Sequence, residues 1–344
     1  MTIHKARRRL GTTDLEVTTL GVGGTGWGNL YEPMQDEDCD TVIRQAVASG
    51  LNYFDTAPIY GLGLSEERLG RTLRQLDRAS YIVSTKVGWR LDPLPKDASG
   101  WSLFPGAHQY QQVMDYSRQG ILDSIEASME RLDIGQIDIL LMHDPDEGSS
   151  QWEGWPDTEV SHFEAAMENA YPILDDLRSK GHVKAIGLGM NQWQMLARFA
   201  EAGQFDCFLL AGRYTLLEQT PLDEFLPMCT ERQISVIIGG PFNSGILATG
   251  AVDDARFEYK AAPPNLMQRV KGIEAMCIRH GITLQAAALQ FPLGHTAVAS
   301  VIPGMRATSE LETNLEAMTM DVPSDFWTEL KDRELIHPNA PTPS

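Results

Sequence analysis

The sequence predicts an α/β chain closed into a (β/α)8 barrel, the TIM barrel architecture, with long loops on its top face. Three observations carry this. Short apolar runs recur along 344 residues, 42% of which are hydrophobic. Several of these runs are nearly continuous Ile, Leu and Val, as strands buried on both faces require. Amphipathic stretches alternate with them to give eight strand–helix units, and a closed parallel barrel is the single-domain architecture with that count. No linker or further repeat interrupts the alternation, so residues 1–344 read as one domain. Residues 335–344, ending Asn339-Ala340-Pro341-Thr342-Pro343-Ser344, read as a loose tail.

Strands are expected at Val17–Val22, Leu51–Asp55, Tyr81–Lys86, Ile137–His143, Val183–Leu188, Phe205–Leu210, Ile234–Ile238 and Ala297–Ile302. Helices are expected near 38–49, 65–75, 117–132, 161–180, 192–202, 221–231, 265–280 and 308–318. The opening, Arg9-Leu10-Gly11 to Leu15-Glu16-Val17, reads as a hairpin plugging the barrel bottom. The run from Leu51 breaks at Ala57-Pro58, because proline lacks the amide a central ladder needs. Gly61-Leu62-Gly63 follows, and Ser65-Glu66-Glu67 reads as a helix start, with Ser65 as N-cap and acids in the first turn. Residues 87–116 and 239–264 show little periodicity. Both follow strands, which places them on the top face as loops of functional length.

The formal net charge of −19 removes the basic footprint of a nucleic-acid binder and opposes binding to an anionic membrane surface. Cys39, Cys207, Cys229 and Cys277 are far apart and form no CxxC pair, so they read as buried free thiols. The first residues carry charge with no apolar segment behind them, and no run approaches membrane-spanning length; the expected location is cytoplasmic.

Four polar residues fall at or just past strand ends: Asp55, Tyr60, Lys86 and His143. In a parallel barrel those ends converge on one mouth. A phenol has an ordinary pKa near ~10 and is a poor acid or base at neutral pH. A nearby ammonium favours the phenolate and lowers that value, and a carboxylate beside the ammonium keeps it charged. A histidine can orient a carbonyl or hydroxyl oxygen. Together the four suit proton transfer to or from a substrate oxygen. A lone strand-end lysine is usually a surface charge and a lone histidine a structural group; the coincidence of all four carries the reading. Trp27, Trp89 and Trp193 fall in or near top-face loops, where a substrate wall and core packing are both open to them.

Gly21-Val22-Gly23-Gly24-Thr25-Gly26 fits G-x-G-x-x-G, but Trp27 to Pro33 does not continue as a helix. The acid-ended strand due about twenty residues on is also absent. A glycine-rich first barrel loop that lets a cofactor approach the backbone is the better reading. His143-Asp144-Pro145-Asp146 lacks the second histidine pair of a metal site, and there is neither a G-x-S-x-G elbow nor a P-loop.

At this point the residues resemble the aldo-keto reductases over nearly the whole chain, from Arg8-Arg9-Leu10-Gly11 to Asn314-Leu315. The carriers are Tyr53-Phe54-Asp55-Thr56-Ala57 with Tyr60-Gly61, Ser84-Thr85-Lys86, Leu141-Met142-His143-Asp144, Ala185-Ile186-Gly187 and Val301-Ile302-Pro303-Gly304. The resemblance implies a (β/α)8 barrel and a nicotinamide cofactor extended across the strand C-termini. It implies a catalytic tetrad at Asp55, Tyr60, Lys86 and His143, with Tyr60 as acid or base, Lys86 and Asp55 as its tuners and His143 as substrate orienter. Cofactor contacts are implied at Gly24, Thr25, Asp55, Asn191, Phe242 and Asn243, and further at Gly245, Arg306, Glu310 and Asn314. Substrate contacts are expected at Trp27, Tyr60, Trp89 and His143, with no metal.

Gly189-Met190-Asn191-Gln192-Trp193, Leu209 to Leu217, Gly239 to Gly245 and Ala287 to Leu293 look most similar to the sugar and pyridoxal dehydrogenase branch of that family. That branch implies oxidation of the C1 hemiacetal of an aldose, of L-fucose, D-threo-aldose or L-galactose type, to a lactone. Pyridoxal or a plain aldehyde or ketone is the alternative substrate, and a cofactor-binding regulatory subunit or a metal-dependent barrel hydrolase are rivals of other classes. The chain departs from the commoner pattern in three places. The nicotinamide-holding Ser-Asn pair is Gly189-Met190, with Asn191 one position later. The stacking aromatic after the seventh strand is Gly239. The basic residues expected near a 2′-phosphate are Gly304 and Glu310, and NAD is therefore expected over NADP.

Overall fold

The computed structural model describes residues 5–95, 103–145 and 162–343. Residues 1–4, 344, the part of the long loop at 96–102 and Asp146 of the weighed metal reading lie outside the described residues.

Eight parallel strands form one sheet with neighbours in chain order: β1 (Val22–Gly23), β2 (Tyr53–Asp55), β3 (Ile82–Val87), β4 (Ile139–His143), β5 (Ala185–Met190), β6 (Cys207–Ala211), β7 (Ser235–Gly239) and β8 (Val298–Ile302). Parallel bridges from Leu20 to Val301 and from Gly23 to Gly304 join the two ends and complete the barrel. The expected strand Val17–Val22 is corrected. Its first residues belong to an antiparallel hairpin, Arg7–Arg9 with Glu16–Thr18, and only Val22–Gly23 enters the barrel. Thr18 is committed below: its amide donates to Asn52 Oδ1 (2.7 Å) and its hydroxyl to Leu20 O (2.7 Å).

Strand parity separates two cores. Leu10, Leu15 and Val17 of the hairpin pack with Tyr53, Ile82, Ile139, Leu141, Ala185, Cys207, Leu209, Ile237, Ala299 and Ile302 inside the barrel. The alternate residues, among them Phe54, Val83, Leu140, Met142, Ile186 and Phe208, face the helices. Because side chains alternate with period two, Asp55, Lys86 and His143 share the inward parity of Tyr53, Ile82 and Leu141. Each therefore faces the mouth of the barrel from the C-terminal end of its strand. Burial of each large apolar side chain contributes ~1.5–3 kcal/mol.

Helices Asp36–Ala48, Leu64–Leu73, Arg118–Leu132, Trp193–Ala202, Phe225–Glu231, Pro264–His280 and Thr308–Thr319 occupy the expected stretches. The expected 161–180 helix is Phe163–Ala165 and Tyr171–Ser179 joined by a π turn at Ala166–Ala170. Pro172 has no amide to give to the carbonyl of Glu168, which loosens the ladder there. Helices Leu284–Gln290 and Ser324–Asp332 and the hairpin Trp89–Pro93 with Tyr110–Met114 were not anticipated. None of the described helices is long and apolar enough to cross a membrane. All four cysteines are free and buried.

The tail is corrected as well. Ile336 and Ala340 are buried, Arg269 donates to Leu335 O (2.9 and 2.7 Å), and the His337 amide donates to Gln219 Oε1 (3.1 Å). Two apolar anchors hold a stretch whose proline and polar composition reads as loose.

Candidate active site

Local folding brings the four strand-end residues together. The Gly24 amide donates to Asp55 O at 2.7 Å, and a Cβ on Gly24 would lie 2.6 Å from that oxygen. Close approach of β1 to β2 thus demands glycine there. Past Pro58, amide bonds from Tyr60 to Ala57 O (3.1 Å) and Gly63 to Pro58 O (2.7 Å) curl the chain back, with Gly61 at φ +66°. The backbones of Gly61 and Gly28 touch: a Cβ on Gly28 would lie 2.4 Å from Gly61 N and 2.5 Å from Tyr60 C. Ser65 is not the N-cap, because the helix starts at Leu64 after Gly63. Its hydroxyl donates instead to Gly24 O (2.8 Å) and accepts from Thr56 Oγ1 (2.8 Å), tying the first loop to the second.

Lys86 Nζ donates to Asp55 Oδ2 (2.7 Å) and Thr56 O (2.8 Å), and lies 4.7 Å from the centre of the Tyr60 ring. The Tyr60 and His143 rings meet edge to face, with centroids 5.9 Å apart. Burial works against the charge on Lys86, but Asp55 and Tyr60 outweigh it and hold the ammonium above its ordinary range. For Tyr60 the balance reverses the sequence expectation. Burial, helped by Asp55, outweighs the pull of Lys86, so the phenol sits above its ordinary value. Burial and then Lys86 hold His143 well below the ordinary imidazole range, so it is neutral at neutral pH. Its Nε2 is 3.5 Å from Asp144 Oδ2, which favours the proton on Nε2, and the Tyr116 hydroxyl donates to its carbonyl at 2.7 Å.

Tyr60, Lys86 and His143 open on one cavity that Thr25 and Asn191 also line. Asp55 sits beneath it through Lys86. Leu30, Ile59, Leu103, Phe104, Asp144 and Tyr259 complete much of the wall and were not named from sequence. Tyr259 was hidden in the non-periodic stretch after β7. It sits with Glu258 in a two-residue hairpin turn, both at positive φ (+63° and +50°), between Arg256–Phe257 and Lys260–Ala261. The Glu258 carboxylate pairs with Arg213 (2.5 Å), and the Tyr259 ring meets Tyr31 at 6.3 Å.

Two substrate expectations are corrected. Trp27 is fully buried, donates to Met305 O (2.9 Å) and packs on Phe54, because the first loop folds inward onto the helix layer. Trp89 is buried against Ala57 and Ile59, behind the Tyr60 loop rather than on the cavity wall. Asn243 is also buried and spends its side chain on Thr215 Oγ1 (2.6 Å) and Gly212 O (3.0 Å).

The rim from Asn191 to Arg306 suits an extended nucleotide. A side chain at Gly240 would find only Gly212 N at 3.8 Å, and one at Gly245 nothing within 4 Å. At the far end, Arg306 Nε is buried without a hydrogen-bond partner among the described residues. The Arg306 Nη2 donates to Glu32 O (2.8 Å) and Pro33 O (3.2 Å), while its amide donates to Glu310 Oε2 (2.5 Å). Phe242 packs against the core and Asn314 is buried on Thr308–Thr319.

Comparison with known proteins bears on this site. A model described as the Aldo/keto reductase family matches residues 19–334. Pyridoxal 4-dehydrogenase of Microbacterium luteolum is 36% identical over 343 residues, 96% of this chain and 98% of that protein. D-threo-aldose 1-dehydrogenase of Pseudomonas sp is 38% identical over 334 residues, 96% of each. Among solved structures, the glycerol dehydrogenase of Gluconobacter oxydans aligns with a TM-score of 0.75 at 19% identity, over 99% of this chain and 98% of that one, a likeness of fold.

Proposed function

The chain belongs to the aldo/keto reductase family of NAD(P)-dependent oxidoreductases, and from that premise we propose that it oxidises the C1 hemiacetal of an aldose to a lactone, with NAD as the preferred cofactor. The observation that carries the reading is the gathering of Tyr60, Lys86 and His143 on one cavity, with Asp55 bonded beneath.

Asn191, the open glycines at 240 and 245, and Arg306 are the groups that would hold the cofactor. When bound, a nicotinamide supplies the acceptor for the hydride that leaves C1. The protein handles the proton. Tyr60 as phenolate takes the anomeric hydroxyl proton, and Lys86 stabilises that phenolate. His143 lies against the same oxygen and orients it between the two rings. Because Tyr60 titrates above its ordinary value, oxidation gains rate as pH rises, and the reverse reduction, which needs the neutral phenol, does not.

The NAD preference follows from the far rim. A 2′-phosphate needs a cationic pocket, whereas here the cation at the rim, Arg306, lies between the carboxylates of Glu32 and Glu310, which repel a phosphate and can accept from a ribose diol.

A second reading, oxidation of pyridoxal, is favoured by the aromatic wall of Phe104 and Tyr259, which suits a flat ring, and by the similarity to a pyridoxal 4-dehydrogenase. L-fucose, L-galactose, pyridoxal and simple aldehydes, each with NAD and NADP, separate the two by reduced-nicotinamide absorbance. Highest kcat/KM with an aldose and NAD supports the proposal; highest kcat/KM with pyridoxal transfers it to the second reading. Absence of turnover with every pair would leave a regulatory role.

A further inference from the structure

Beneath the ion pair, the barrel interior holds a polar chain that does not form part of the cavity wall. Ladder pairing sets Asp55 of β2 opposite Ser84 of β3. Ser84 Oγ is 2.7 Å from Asp55 Oδ1 and 2.9 Å from the Tyr53 hydroxyl. An ionised carboxylate only accepts, so the single hydroxyl hydrogen of Ser84 goes to Asp55, and Tyr53 must donate to Ser84. Lys86 donates to the other oxygen, Oδ2, at 2.7 Å. Both carboxylate oxygens are thus held, and every donor is aligned toward Asp55.

We propose that Ser84 and Tyr53 are positioning residues that keep Asp55 ionised and so keep Lys86 charged beside Tyr60. The inference rests on Tyr60 being the acid–base group. Tyr53, Ser84 and Asp55 are all buried, in an interior otherwise walled by Ile82, Ile139, Leu141 and Ile302. There an unmade hydrogen bond to a charge is not replaced by water, and aligned donors strengthen one another. The ionisable groups around Asp55 are Lys86 on β3, Tyr60 in the following loop, Tyr53 on its own strand, Cys207 on β6 and, beyond Lys86, His143 on β4. Of these only Lys86 is a cation at neutral pH; burial keeps the Cys207 thiol and the Tyr53 phenol protonated.

The direction of the effect follows. Burial already pushes the Asp55 carboxyl up against Lys86 and Ser84. Loss of the Ser84 bond raises the Asp55 carboxyl further and shifts the Asp55–Lys86 pair toward its neutral form. A neutral pair no longer favours the Tyr60 phenolate, because the pull of Lys86 on Tyr60 outweighs the push of Asp55.

The test is the pH dependence of oxidation kcat/KM for the full chain and for Ser84→Ala, Tyr53→Phe and Tyr60→Phe, with NAD and whichever of L-fucose or pyridoxal the parent chain oxidises faster. Ser84→Ala should move the rising limb up by roughly one pH unit, the scale of one hydrogen bond to a charge. Tyr53→Phe, which keeps the ring and removes only the outer donor, should move it the same way by less. KM for NAD should not change. If Tyr60→Phe is inactive while the Ser84→Ala and Tyr53→Phe limbs coincide with the parent, the inference is overturned and the acid–base reading stands. If Tyr60→Phe retains turnover, both fall.

Discussion

Lys86 is 1% exposed, and it keeps its proton only because Asp55 and Tyr60 outweigh burial. Lys86→Met removes the one cation that favours the Tyr60 phenolate, so oxidation should fall severely and its residual rate should climb at higher pH than in the parent. A pH–rate profile of unchanged position would remove Lys86 from this role. Asp55, Lys86 and His143 were legible in the sequence because each ends an apolar run. Counting in twos from Tyr53, Ile82 and Leu141 assigns them the inward face. The direction of the Tyr60 titration was not legible: charges can be named from sequence, whereas the depth of burial that outweighs them cannot. Trp27 and Trp89 failed for a related reason. An aromatic ring beside a top-face loop serves a cavity wall or the layer behind it equally well, and only packing decides.

At the scale of elements, the loop that presents Tyr60 is braced by its backbone contact with Gly28. Gly28→Ala would place a methyl carbon 2.4 Å from Gly61 N and 2.5 Å from Tyr60 C, contacts with backbone that no rotamer relieves. The expected outcome is a fall in kcat of about tenfold or more in protein that still folds, since the displaced segment carries Tyr60, the proposed acid–base group. Full kcat would show that the two loops separate without moving Tyr60. At the far rim, Glu310 accepts the Arg306 amide at the start of Thr308–Thr319. Glu310→Arg removes a repulsive carboxylate and adds a cation, and should raise the NADP to NAD ratio of kcat/KM about tenfold or more. An unmoved ratio would place the adenosine 2′ position elsewhere. The seven barrel strands after the first were readable to within a few residues because continuous apolar runs leave little choice. The hairpin Trp89–Pro93 with Tyr110–Met114 was not, since its strands are mostly half-buried or exposed and carry no apolar period.

Across the whole molecule, the barrel and the two-layer core follow from the repeat of apolar runs and amphipathic stretches. Closure at the C-terminus does not, because it depends on two anchors, Ile336 and Ala340, in a segment rich in proline. Removal of residues 335–344 should lower unfolding free energy by at least about 2 kcal/mol, from the lost burial of Ile336 and its neighbours. An unchanged denaturant midpoint would show the tail to be passive. The central claim is that this barrel oxidises a hemiacetal with Tyr60 as proton acceptor. Its most direct test is oxidation of L-fucose with NAD, followed by absorbance across pH, in the parent chain and in Tyr60→Phe. The account expects a parent rate that rises with pH and a variant ~10²-fold slower or more at every pH, with unchanged NAD affinity. A variant that oxidises L-fucose at near the parent kcat would contradict it.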